Sequence, residues 1–345
     1  MNIEIPEFSD VLSLEAHLSE PGDALVSDFS ELSGDILVLG AGGKMGPTLA
    51  KMARKAMDRA GCSAKVIAVA RFSDSEVKLR LEASGVETVT CDLLDTDSVR
   101  ELPDAPNVLF MAGMKFGASG NPAFTWAMNA LCPAIVAERY YNSRIVVFSS
   151  GNIYPFVSAG TKGASEDVPT SPVGEYAQSV LARERMFEYF ACEMGTHILQ
   201  YRLNYAVEPR YGIPVDLALK ILSNEPIDLS MGFVNLIWQR DANEIALRSL
   251  NRASNPPEIL NVTGLEILSV RALAEKLGER LGQVPMFLGH EESEALLADA
   301  SKCAQYFGEP PTTVDAMLDA VARWVQQGGS LLGKPTKFQV RDGNF

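Results

Sequence analysis

From residue 36 to about residue 205, short apolar runs alternate with stretches whose apolar positions recur every three or four residues. The runs Ile36–Leu39, Val66–Val69, Val86–Val89, Val108–Met111, Ile145–Phe148 and Ile198–Arg202 are short and mostly apolar, as expected of strands buried on both faces. Between the first two, Leu49, Met52, Ala53, Ala56 and Met57 fall on one side of a helix. The segments Trp126–Tyr141 and Glu175–Glu193 predict two further crossover helices. Such alternation predicts an α/β fold, a doubly wound parallel sheet covered by helices on both faces. After about residue 208 the elements shorten, Pro and Gly become frequent, and helical periodicity returns at Ala242–Leu250, Val270–Leu281, Glu291–Ala300 and Thr313–Gln327. The expected organisation is an N-terminal extension (1–33), a main α/β domain (34–208), a smaller mixed C-terminal portion (209–330) and a polar, extended tail (331–345). The extension, partly helical at Leu12–Leu18 and Asp28–Leu32, is expected to pack outside the domain and to carry no chemistry.

Composition narrows the classes. With 345 residues, 47% hydrophobic and 21% charged, the chain reads as an ordinary globular protein with ample core. A net charge of −14 argues against nucleic acid, whose phosphates need a basic surface. Cys62, Cys91, Cys132, Cys192 and Cys303 are scattered, which reads as reduced thiols in a cytoplasmic protein. His17, His197 and His290 lie in three separate regions, so no metal site is expected. The acidic, polar N-terminus reads as neither signal nor transit peptide, and no apolar run approaches membrane-spanning length.

The chemistry begins at Gly40-Ala41-Gly42-Gly43-Lys44-Met45-Gly46, which follows a predicted strand and opens a predicted helix. That context is the one a Rossmann-type dinucleotide fingerprint requires. Gly40 allows the tight turn, Gly43 lets backbone N–H groups of the loop, through Lys44 and Met45, approach a pyrophosphate, and Gly46 permits close helix–strand packing. The second strand ends in Ala70-Arg71, where an NAD-binding chain usually has an acidic residue for the ribose hydroxyls. Arg71, with Lys44 contributing, suits a 2′-phosphate, so NADP is the expected cofactor and NAD the alternative.

Two further stretches extend the pattern: Phe148-Ser149-Ser150-Gly151-Asn152-Ile153-Tyr154 and Pro172-Val173-Gly174-Glu175-Tyr176-Ala177-Gln178-Ser179-Val180. Together with the glycine run they resemble the extended short-chain dehydrogenase/reductases, the NAD(P)-dependent epimerase/dehydratase family. The resemblance covers about residues 35–328. It implies that Ser150 and Tyr176 are the catalytic pair, that Asp92 and Leu93 contact adenine, and that Ala112, Gly113 and Met114 run under the cofactor. It also implies a homodimer, with the helices of Trp126–Tyr141 and Glu175–Phe190 pairing across a two-fold axis, and a carbohydrate-like small-molecule substrate. Arg202 to Pro209, Gly232-Phe233-Val234, Asp241-Ala242 and Asn261 to Gly264 match later segments of the family, although Glu208 replaces a glycine there. Specificity is expected from the C-terminal portion and the loops Phe116–Ala123, Val157–Val168 and Arg210–Val215.

One member is missing. The family carries a Lys four residues after its Tyr, and here that position is Val180. A free tyrosine has a pKa of about 10, so roughly one in a thousand is ionised at neutral pH. Without a compensating cation, reaching the phenolate costs about 4 kcal/mol, or roughly three orders of magnitude in rate. Arg183 lies at i+7 from Tyr176 on the same helical face, about 10 Å along the axis. Because arginines are seldom buried, it reads as a surface or dimer-contact residue. Three readings follow: an oxidoreductase, epimerase or dehydratase acting on a sugar, sugar acid or nucleotide sugar; a non-catalytic NAD(P)-binding sensor; and a non-redox isomerase or lyase.

Overall fold

The computed structural model describes residues 5–115 and 120–344. Seven strands form one parallel sheet: β1 (Ile36–Leu39), β2 (Val66–Ala70), β3 (Glu87–Thr90), β4 (Asn107–Phe110), β5 (Arg144–Ser150), β6 (His197–Leu203) and β7 (Glu258–Val262). Their order is β7-β6-β5-β4-β1-β2-β3, so the chain reverses direction across the sheet beside β1. Ligands of open α/β sheets bind at that switch point, outside the carboxyl ends of the strands.

Strand periodicity sorts the apolar residues between two cores. Ile36 and Val38 of β1, with Val66 and Ala68 of β2, face the helix α3 (Gly46–Arg59). Leu37, Leu39, Ile67 and Val69 face the other way, towards α4 (Cys132–Arg139) and α5 (Gly174–Met194). All five apolar positions expected on α3 are fully buried. Each large side chain among them contributes roughly 1.5–3 kcal/mol of burial. A third cluster gathers α6 (Ile213–Leu222), α7 (Val270–Leu281) and α8 (Val314–Gln326) around Trp238 and Trp324.

The six expected strands are present with ends displaced by no more than two residues; β7 is an addition drawn from beyond residue 208. Its apolar run is broken by Asn261, a buried residue that accepts from Tyr154 Oη at 2.9 Å and donates to Ala164 O at 2.9 Å. The helix expected over Glu291–Ala300 does not form: the segment holds only the short strand Glu294–Ala295, antiparallel to Val157–Ser158. Its carbonyls at Ser293 and Leu297 accept from Ala159 N and Ala164 N at 2.9 Å each, so cross-chain pairing replaces the helical ladder. The helix expected over Trp126–Tyr141 begins earlier, at Pro122–Trp126, and passes through a widened π turn at Ala127–Leu131 before α4.

The two ends of the chain are not passive. Helices α1 (Val11–Leu18) and α2 (Asp23–Ser30) bury Leu14, Leu18, Leu25 and Phe29, and Lys51 Nζ pairs with Glu15 Oε2 at 3.0 Å. Glu15 Oε1 also lies 3.3 Å from Arg210 Nη1, which ties the extension to the segment that precedes α6. The tail is irregular rather than free: Thr336 and Phe338 are buried, and Thr336 N donates to Asp216 Oδ2 at 2.8 Å.

Candidate active site

The glycine loop shows why side chains are excluded. Gly40 sits at φ +86°, and a Cβ there would lie 2.5 Å from Ala112 N. A Cβ on Gly46 would lie 2.6 Å from Ala41 Cα, so α3 could not dock on the loop. Gly42 and Gly43 instead turn open backbone into a cleft of about 230 Å³, lined also by Ala70, Arg71, Asp92, Leu93, Ala112 and Gly113. A bare loop at a helix N-terminus beside an apolar groove fits a dinucleotide, which the cleft residues would hold by pyrophosphate and adenosine contacts. Arg71 is exposed at the rim. Asp74, also at the cleft, is occupied in capping the helix Ser75–Glu82, accepting from Glu76 N at 2.9 Å.

Lys44 does not join Arg71. Its side chain, with Met45, turns to the opposite side of the loop and lines a second cavity of about 190 Å³. There Nζ donates to Ala206 O at 3.2 Å and stands 3.5 Å from the centre of the Tyr211 ring. The glycine loop thus serves two chambers, its backbone facing one and its lysine the other.

That second cavity also contains Ser150 and Tyr176. Ser150 ends β5; its Oγ donates to Asn152 Oδ1 at 3.0 Å and accepts from Asn152 N at 3.2 Å. Tyr176 lies in the first turn of α5, and its side chain is hydrogen-bonded to Ser150. Burial pushes the Tyr176 phenol above its ordinary value, while the Arg183 guanidinium and the Ser150 hydrogen bond oppose the rise. The Lys115 ammonium is 5.9 Å from the Tyr176 ring centre, and burial lowers it to about 8.

Val180 is fully buried, and so, against expectation, is Arg183, only 6% exposed. Nη1 of Arg183 donates to Phe148 O at 2.6 Å and Nη2 donates to Asn129 Oδ1 at 2.7 Å. A Cβ on Gly113 would collide with Arg183 Nη2, so the small-residue loop after β4 makes room for the guanidinium. Asn129, in the π turn, ties the parts together. It accepts from Met114 N at 2.8 Å and donates to Met114 O at 2.9 Å and Ser179 Oγ at 3.0 Å. Below this, Glu184 pairs with Arg202 at 2.7 Å and accepts from Ser149 Oγ at 2.5 Å. Arg202 Nη1 in turn donates to Tyr154 Oη at 2.6 Å, fixing the carboxyl ends of β5 and β6.

The structure therefore gathers Gly40, Gly43, Arg71, Asp92, Leu93, Ala112 and Gly113 at one cleft and Ser150 and Tyr176 at the adjoining cavity. Met114 is fixed by its backbone to Asn129, and Gly46 lies under the loop. Of the loop expected at Phe116–Ala123, residues 116–119 lie outside the described residues. Sequence reasoning passed over Asn129, Tyr211 and Thr336. Lys115 carried a signal, since it directly follows the small-residue loop.

The model of the NAD dependent epimerase/dehydratase family matches residues 36–214. That is more than half of the chain, which therefore belongs to this family. Among solved structures, UDP-glucose 4-epimerase of Thermotoga maritima with UDP-glucose is 17% identical, with TM-score 0.70 over 85% of this chain and 99% of that one. UDP-glucuronic acid 4-epimerase of Bacillus cereus in complex with NAD is 19% identical, with TM-score 0.70 and the same coverage. An epimerase of Methanothermobacter thermautotrophicus is 19% identical, with TM-score 0.71 over 90% of this chain and 97% of that one. At these identities the likeness is one of fold. No curated protein matches in sequence. No helix among the described residues is long and apolar enough to cross a membrane.

Proposed function

We propose that the chain is an NAD(P)-dependent enzyme of the oxidoreductase, epimerase or dehydratase type, acting on a carbohydrate derivative through Ser150 and Tyr176. The observation that carries this reading is the hydrogen-bonded Ser150–Tyr176 pair beside a buried cation, Arg183, at a cavity that adjoins the dinucleotide cleft. A bound nicotinamide supplies reversible hydride exchange with a substrate carbon. The proton is the business of this chain. A substrate hydroxyl placed against Tyr176 Oη passes its proton to the phenolate, and Ser150 Oγ holds the oxygen that changes charge. Where the family has a Lys, Val180 supplies no charge; the Arg183 charge, one turn further along α5, favours the ionised form of the phenol. Reduction of the cofactor by a sugar derivative, or conversion of that derivative without net reduction, tests the reading. A protein that binds cofactor and converts none of the family's substrate classes would contradict it.

Arg71 at the cleft rim, with Asp74 engaged in a helix cap, supports NADP over NAD. Calorimetry should show NADP binding the more tightly, and Arg71→Ala should cost NADP about tenfold while sparing NAD, the effect of one charge-assisted phosphate contact. Equal affinity of the wild type for both dinucleotides would contradict the assignment.

A homodimer is part of the same proposal. Trp126, Leu131 and Tyr189 are 37%, 55% and 58% exposed on the helices that cover one side of the sheet, an outward apolar face of the kind a two-fold interface buries. Light scattering should return twice the 37.4 kDa chain mass. A monomer at micromolar concentration would rule the interface out.

A further inference from the structure

Resting on the proposed function, we infer the substrate class: a small polyol bearing one acidic group, carboxylate or phosphate, whose charge is met by Lys44, and not a nucleotide sugar. Three observations lead there.

The first is the direction of Lys44. A lysine in the glycine loop would be placed to meet cofactor phosphates, yet its ammonium is threaded into the Tyr176 cavity. One N–H is directed at Ala206 O and the ring of Tyr211 flanks it. An ammonium carries three donors on a compact charge, so the same group can hold an anion without releasing that anchor.

The second is the charge balance. Around Lys44 stand Lys115, Lys334 and Arg210, against the carboxylates of Glu208 and Asp216. Glu208 is engaged by Arg210 Nε at 3.0 Å, and Asp216 accepts from Thr336 N and Oγ1 at 2.8 and 2.6 Å. With Glu15, which pairs with Arg210 Nη1 at 3.3 Å, three carboxylates stand against these four cations, in a chain whose net charge is −14. Burial brings Lys44 down to about 7, despite the attraction of Glu208. A desolvated ammonium of this kind gains most from an incoming anion, which restores its preference for the charged form.

The third is the space. The cavity is about 190 Å³, a little smaller than the adjoining cleft of about 230 Å³. The tail contributes one wall through Thr336, which is 1% exposed. Further along, Gly343 backs onto Gly174 so closely that a Cβ on Gly174 would lie 2.5 Å from Gly343 O. Arg341 pins this strap by donating to Ser230 O at 3.0 Å and Glu294 O at 2.8 Å. Beside Asn152 and Tyr154 only about 30 Å³ is left under Val340 and Arg341, too little for a nucleotide to leave the cavity by that route.

Calorimetry on the full chain saturated with NADP, or with NAD should that bind better, tests the inference with glucuronate, glucose 6-phosphate, glucose and UDP-glucuronate as probes. Glucuronate or glucose 6-phosphate should bind at least tenfold more tightly than glucose, and which of the two wins distinguishes carboxylate from phosphate. Lys44→Gln should bring the acid down to the affinity of glucose, Lys44→Arg should restore part of it, and cofactor affinity should change less than twofold in both. The wild-type preference for the acid should fade as pH rises through about 7, because the amine loses its proton, and Lys44→Gln should abolish that dependence. Four results would overturn the inference: no binding of either acid, equal binding of acid and glucose, displacement of the free acid by UDP-glucuronate, or Lys44→Gln weakening the cofactor rather than the acid. Acid binding that depends on Lys44 without any turnover would leave the anion site standing and remove the enzyme reading instead.

Discussion

Replacing Arg183 by methionine should lower turnover at neutral pH by roughly ten- to a hundredfold and displace the pH–rate profile towards higher pH, a displacement of one pH unit corresponding to about tenfold in the neutral rate. The sign follows from which form of Tyr176 works. As a base the phenol must be ionised, so the rate climbs with pH until the phenolate has formed. Burial raises the pH at which that happens, and the Arg183 charge, followed by the Ser150 hydrogen bond, brings it back down. With Arg183 gone, burial is less opposed and the climb comes later. The substitution also removes the Arg183 donor from Phe148 O, which costs about 1–3 kcal/mol of stability, while Asn129 Oδ1 keeps its hydrogen bond from Met114 N. Activity that recovers at alkaline pH separates the electrostatic role from mere destabilisation. Arg183→Lys should keep part of the neutral rate, because the charge survives although the two-pronged contact does not. A profile unchanged by Arg183→Met would mean that this guanidinium does not set the ionisation of Tyr176.

The second large effect belongs to Tyr176 itself. Tyr176→Phe removes the phenol oxygen placed beside Ser150 Oγ to exchange the proton and should reduce turnover by about a thousandfold, within the range that general acid–base groups contribute. The ring remains, so the packing against the Lys115 side chain is retained. The dinucleotide cleft is lined by other residues, so cofactor affinity should stay within a few-fold. Turnover unchanged on a genuine substrate would show that the proton moves through another group, such as Lys115 with its ammonium 5.9 Å from the ring centre.

Much of this architecture was legible because its causes are local. Ile36–Leu39 and Val66–Val69 alternate between two cores, and the glycines at 40 and 46 stand where a Cβ would strike Ala112 or Ala41. Features that depend on distant partners were not legible. Strand β7 was obscured by Asn261, a polar residue retained inside the sheet because Tyr154 and Ala164 satisfy it. The Glu291–Ala300 periodicity suggested a helix, yet residues 157–164 claim its backbone groups. Helical spacing put Arg183 on the face of Tyr176, but its burial depends on Asn129 in a π turn and on the space left by Gly113. The direction of Lys44 is decided by Ala206 and Tyr211, more than 160 residues later in the chain. The role of the tail as a wall required Thr336 to find Asp216.

In the proposed function the chain runs proton and hydride chemistry on a bound substrate with Tyr176 and Arg183 in place of a Tyr–Lys pair. The most direct test mixes cofactor-saturated wild type and Tyr176→Phe with sugars, sugar acids, sugar phosphates and nucleotide sugars. The near-ultraviolet absorbance of reduced nicotinamide is followed while the products are resolved by NMR. Wild type should reduce its cofactor or convert at least one acidic sugar derivative, rising with pH, and Tyr176→Phe should do neither while still binding cofactor. Tight cofactor binding with no reduction and no conversion in the wild type would contradict the account and leave a non-catalytic NAD(P)-binding protein in its place.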